Sequence, residues 1–171
     1  MRNWFYEQMA MYSAYHRDWR NQLTHYVGVP MIVFSLLILT SMVPIYEAGN
    51  IKLTLASILM IVLVLFYIIA TPLVGTIAAF MYGLLLFYAE GVASVGFPVA
   101  LQAFAVFFIG GWLIQFAGHI YEGRKPALFD NLMQVFMAPA FLIAELLFLA
   151  KLEAGLKAEI ETRMHQYEKS K

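Results

Sequence analysis

The chain has 171 residues, 62% of them apolar and only 13% charged; a soluble domain sits nearer 45–50% apolar and about 25% charged, so this is a membrane composition. Eleven Lys and Arg balance eleven Asp and Glu, and a formal net charge of zero lacks the cation surplus that nucleic-acid phosphates require. With no cysteine, a disulfide framework, a thiolate metal site and a cysteine nucleophile are all excluded.

Residues 1–26 interleave Trp4, Phe5, Tyr6, Tyr12, Tyr15, Trp19 and Tyr26 with Arg2, Arg17 and Arg20, and show no cleavable leader pattern. That mixture predicts an amphipathic helix in the headgroup region; a cap helix packed on a bundle is the alternative. Four apolar runs follow, Val29–Tyr46, Ile51–Ala70, Pro72–Ala89 and Phe97–Gly118, each near the ~20 residues that cross a hydrocarbon core of about 30 Å. The second and third are joined tightly at Thr71-Pro72. A fifth run, Leu132–Leu152, carries Pro139 near its middle and Glu145 just beyond, and a charge at mid-bilayer costs about 2.5–3.5 kcal/mol on insertion scales.

Charge placement decides the count. Four crossings put both termini and the 119–131 loop on one side, with ten of the eleven cations; only Lys52 lies opposite. The positive-inside rule makes that side cytoplasmic. The expected fold is therefore all-α: a polytopic membrane helical bundle of four transmembrane helices. A re-entrant or interfacial helical hairpin over 132–150, broken at Pro139, and amphipathic terminal helices complete it. Residues 1–171 read as one integral membrane domain without repeats. The short loops favour a bacterial inner membrane, the endoplasmic reticulum being the eukaryotic equivalent.

Four histidines hold most of the chemistry. The four-crossing topology brings His16, His25 and His119 to one membrane face, while His165 falls in a charged, solvated tail. On one straight helix His16 and His25 would point oppositely, about 13.5 Å apart along the axis. A shared ion therefore needs a break between them, which Asp18, Asn21 or Thr24 could supply by competing for backbone hydrogen bonds. His119 and Glu122, three apart, share a helix face. Imidazole plus carboxylate suits iron, zinc or copper. Against this stands the plainer reading that these are interfacial hydrogen-bonding residues. Glu145 reads either as a carboxylate bonded to neighbouring backbone or as a partner that orients a ligand histidine. Arg124-Lys125 is a membrane-end anchor or a receiver of a lipid carboxylate, for which Arg has the better geometry.

Two blocks of residues go further. Tyr15-His16 with Asn21, His25 and Pro30 forms one. The other runs from Gln115, Gly118 and His119 through Glu122, Pro126-Ala127-Leu128, Asp130-Asn131-Leu132 and Gln134 to Ala138-Pro139 and Glu145. Together they resemble the yeast-type 2-hydroxy fatty acid dioxygenase family of small polytopic membrane proteins, over nearly the whole chain. The resemblance implies an Fe(II)-dependent oxygenase that cleaves C1–C2 of 2-hydroxy fatty acids in α-oxidation. It makes His16, His25 and His119 the catalytic iron ligands, with Glu122 a further candidate. Arg124 and Lys125 are then candidate substrate contacts, and Asn21, Gln115 and Glu145 candidate supports. Three protein ligands leave iron positions for a 2-hydroxy acid and dioxygen; the acyl chain would lie among the apolar helices, within the lipid bilayer. The rival classes are a non-enzymatic scaffold or lipid-binding bundle and a zinc-dependent lipid hydrolase.

Overall fold

The computed structural model describes residues 1–49 and 51–167. Helix α1 (Arg2–Tyr15) ends at His16, and α2 (Trp19–Ser41) begins after Asp18, whose side chain accepts from the Arg20 backbone N–H. A short aspartate caps the first turn of a helix well, satisfying an N–H that has no partner within it. The expected break thus falls at 16–18. α2 starts ten residues before the first apolar run, and Pro30 lies inside it.

A two-stranded antiparallel hairpin, β1 (Pro44–Ala48) and β2 (Ile51–Thr54), follows. Thr54 and Ser57 then form a reciprocal cap on α3 (Leu55–Ala70), and both hydroxyls donate to Glu90 Oε1. α4 (Pro72–Ser94) opens with its proline at the first position, where a missing N–H costs nothing. α5 (Phe97–Glu122) closes at Gly123, which has a left-handed φ of 63°. After a 3₁₀ turn at Ala127–Phe129 come α6 (Gln134–Leu149) and α7 (Ala154–Met164).

This is an all-α, membrane-type bundle. α2, α4 and α5 are each long and apolar enough to cross a bilayer. α3, with sixteen residues, spans only about 24 Å of axis. Many side chains on the bundle surface are large and apolar, among them Val62, Phe80, Phe87, Val106 and Leu113, as expected where the surrounding medium is lipid.

Two expectations are corrected. The hairpin turn proposed at Pro139 lies instead at 150–153, where Lys151 and Glu153 adopt positive φ and the chain bends by 118° between α6 and α7. α6 nevertheless runs through Pro139, and hydrogen bonds tie that stretch to its neighbours: Tyr67 donates to the Phe136 carbonyl and Tyr82 to that of Pro139. Likewise α1 is a cap on the bundle. Phe5 and Met9 are fully buried, and the Phe5 ring packs edge-on against Phe66 and Tyr67 of α3.

Candidate metal centre

α2 and α5 are the most extensively packed pair of helices, and glycines set their separation. A Cβ on Gly28 would lie 2.9 Å from the Gly111 carbonyl oxygen; one on Gly118 would lie 2.0 Å from Thr24 Oγ1 and 2.4 Å from Asn21 Oδ1. Backbones that approach this closely bring His25, near the start of α2, beside His119, near the end of α5. The third ring arrives from α1. Arg124 Nη1 donates to the Ala14 carbonyl at 3.0 Å, and its guanidinium sits 3.4 Å from the centre of the Tyr15 ring. Tyr15 donates to Asp130 (2.6 Å), which also pairs with Lys125 (2.5 Å). The loop after α5 is therefore stapled to the end of α1, immediately before His16.

The result is three imidazoles, from the residue that caps α1, from α2 and from α5, only 2–6% exposed. Ring centres are 4.5 Å (His16–His25), 5.1 Å (His25–His119) and 5.3 Å (His16–His119) apart. One nitrogen of each lies within 4.8 Å of the others, so a common centre is at most about 2.8 Å from all three (that spacing divided by √3). Imidazole–metal bonds are about 2.0–2.1 Å, so closure takes less than about 1 Å of ring movement.

The hydrogen bonds suit that role. His16 Nδ1 meets the Tyr12 carbonyl and His25 Nδ1 the Asn21 carbonyl, each at 2.8 Å. A carbonyl only accepts, so both Nδ1 atoms carry the proton and both Nε2 atoms keep a free lone pair. His119 Nδ1 is buried without any hydrogen-bond partner, a costly state that a cation could relieve. A metal ion fits these residues. Tyr12 stacks on His16 with centroids 4.0 Å apart and fixes the plane of that ring.

The other expected residues are placed differently. Glu122 is not among the clustered ligand atoms: its carboxylate accepts from the Arg17 and Asp18 backbone N–H groups and from Asn21 Nδ2. It ties the α1–α2 break to the end of α5. Asn21 thereby links Glu122 to the His25 ring. Glu145 takes Gln22 Nε2 at 2.9 Å and Tyr26 at 3.3 Å; the same Gln22 nitrogen donates to the His16 carbonyl at 2.9 Å. Glu145 thus supports the His16 backbone at one remove. Arg124 and Lys125 are occupied by the stapling contacts above. His165 lies exposed, outside the cluster.

A cleft of about 510 Å³, part of it open to the surroundings, leads away from the rings. Gln115, whose stem packs on Gly28, and Gln134 flank its polar end. Val29, Ile32, Val33, Leu36 and Trp112 form an apolar wall. Sequence reasoning missed Tyr12, Trp112 and Gln134 as parts of this site. Leu36, 38% exposed, marks where the cleft reaches the surface of the bundle. Eleven residues of helix from His25 to Leu36 give a wall of about 16.5 Å.

Burial holds the His16 imidazole well below its ordinary pKa, and the neighbouring His25 adds to this. His16 in the unfolded chain takes up a proton near pH 6.5 while the folded one resists it, so unfolding binds protons below that pH and stability falls as the medium is acidified. In metal-free protein in detergent, the melting temperature of wild type relative to that of His16→Gln is expected to fall between about pH 6.5 and pH 5. A difference between the two proteins that stays level across the window would show that the ring is not buried.

The family model described as "2-hydroxy-palmitic acid dioxygenase Mpo1-like" matches residues 2–150. The curated protein 2-hydroxy-palmitic acid dioxygenase MPO1 of Saccharomyces cerevisiae is 33% identical over 157 residues, which cover 90% of this chain and 86% of that protein. No solved structure matches the chain.

Proposed function

The chain belongs to the 2-hydroxy-palmitic acid dioxygenase Mpo1-like family, and from that premise we propose that it is a membrane-embedded Fe(II)-dependent dioxygenase of 2-hydroxy fatty acids. It cleaves C1–C2 and releases an acid one carbon shorter. One observation carries this reading: three buried imidazoles, each with a nitrogen available, stand at the head of an apolar cleft. The overall reaction balances as RCH(OH)CO₂H + O₂ → RCO₂H + CO₂ + H₂O. All four electrons come from the substrate, so no separate reductant is required.

His16, His25 and His119 hold the iron. Ferrous iron supplies the reactivity toward dioxygen that no side chain of the cleft possesses. The protein does the rest. The Tyr12 and Asn21 carbonyls fix which nitrogen of His16 and His25 carries the proton, and burial keeps His16 neutral and so able to ligate. The acyl chain lies along Val29, Ile32, Val33 and Leu36 and enters from the bilayer where Leu36 meets the surface. At about 1.25 Å of advance per carbon for a zigzag of ~1.5 Å bonds, the wall accommodates roughly a dozen methylenes.

The packing of α7 on α1, with Arg163 Nη1 donating to the Asn3 carbonyl, supports placing both termini on one membrane face, and the cations gathered there favour the cytoplasmic one. The test of function is oxygen uptake by iron-loaded protein in detergent. 2-Hydroxyhexadecanoate is expected to yield pentadecanoate with one O₂ consumed, and hexadecanoate to yield nothing. Chain shortening without oxygen consumption, or none at all, would remove the oxygenase reading.

A further inference from the structure

Gln134 is 1% exposed and lines the same cleft as the three histidines, yet its side-chain oxygen has no hydrogen-bond partner. A native fold leaves a buried amide oxygen unpaired only rarely. This one is not free to turn over, because a chain of contacts fixes it. The Met133 backbone N–H donates to Asn131 Oδ1 at 3.0 Å, so the Asn131 nitrogen faces the other way and donates to Gln8 Oε1 at 2.6 Å. The same Gln8 oxygen receives Gln134 Nε2 at 2.8 Å. A flipped Gln134 would set two acceptor oxygens against each other. The backbone thus dictates, through Asn131 and Gln8, that Gln134 presents an acceptor and no donor.

An ionised 2-hydroxy acid carries a single hydrogen-bond donor, its hydroxyl; the carboxylate only accepts and the alkyl chain does neither. We propose that Gln134 Oε1 accepts the 2-hydroxyl proton of the substrate and is the residue that selects 2-hydroxy acids over unsubstituted ones, with Gln8 as its positioning residue. The inference rests on the oxygenase reading for the identity of the acid. An unsubstituted acid leaves Oε1 buried and unpaired, and sites built around a substrate hydroxyl reject analogues lacking it for that reason. The hydroxyl oxygen keeps its lone pairs for a cation while its proton is held by the amide.

The test measures binding, so that it does not depend on turnover. Full-length, metal-loaded protein in detergent is titrated without oxygen against 2-hydroxyhexadecanoate and hexadecanoate, with bound metal assayed in each variant. Wild type is expected to favour the hydroxy acid by about tenfold or more. Gln134→Met, similar in size but without the acceptor, should bring the two acids within about threefold of each other by weakening only the hydroxy acid. Because Gln134 is wholly buried, Gln8→Leu and Gln8→Glu provide a second pair at a half-buried position. Leu releases the amide and lowers the preference; Glu keeps an acceptor for both amides and retains it. Metal content should stay unchanged throughout. A preference that survives Gln134→Met, or its absence from wild type, would overturn the assignment. Oxygen uptake by wild type decides the underlying reading separately.

Discussion

His16→Ala, His25→Ala and His119→Ala are each expected to lower bound metal from near one ion per chain to background and to abolish oxygen uptake. Loss of a group that merely orients a ligand costs roughly 10–100-fold in affinity or activity, and removing a ligand outright should exceed that. The fold should survive. His16 and His25 each donate one hydrogen bond to a carbonyl of their own segment, and His119 Nδ1 makes none. The metal-free variants should therefore still melt cooperatively, below wild type by no more than the cavity that each truncated ring leaves. Metal analysis and calorimetry on the same samples separate the two effects. Full metal retention in all three variants would remove the centre.

Gly118→Val attacks the same site without touching a ligand. Its Cβ would fall 2.0 Å from Thr24 Oγ1 and 2.4 Å from Asn21 Oδ1, and neither can retreat cheaply. Thr24 is bonded to the Asn21 carbonyl at 2.7 Å, and Asn21 donates to Glu122. The helices must part, and overpacking of this kind costs about 1–3 kcal/mol. Since α2 carries His25 and α5 carries His119, the separation should also lower metal affinity. Gly91→Ala in α4, where nothing lies within 4 Å of the added carbon, is the control. It should be neutral or slightly stabilising, as alanine favours helix. A Gly118→Val protein with wild-type melting and metal content would show that α2 and α5 are not held at this distance.

The convergence of His16, His25 and His119 was readable because it depends only on which ends of which crossings share a side. A break between His16 and His25 was legible only as something a shared ion would need, with Asp18, Asn21 and Thr24 all open as its cause; the structure puts it at 16–18, where Asp18 caps α2. Glu122 shows where such reasoning stops. Its helical spacing from His119 is real, but a new helix beginning at Trp19 leaves N–H groups without partners, and the carboxylate answers those of Arg17 and Asp18. Nothing local in the sequence says which demand prevails. Pro139 was misread for a related reason. The stretch around it is held by hydrogen bonds from tyrosines on α3 and α4, far along the chain. Hydropathy set the first span ten residues late because it registers apolarity, not helix, and α2 begins in polar sequence. Gln134 was visible only as part of a resemblance. Its meaning depends on Gln8 and Asn131, whose contact no periodicity predicts.

The helix that delivers His16 is itself clasped from far along the chain. Glu7 receives Gln166 and Tyr167, and Arg163 lies 3.6 Å from its carboxylate; Tyr167 is 160 residues beyond Glu7. A ribosome delivers residue 7 long before residue 167, so α2 to α5 can enter the bilayer and pair while α1 still lacks its clasp. Assembling the bundle and closing the three-histidine pocket thereby become successive events in biosynthesis.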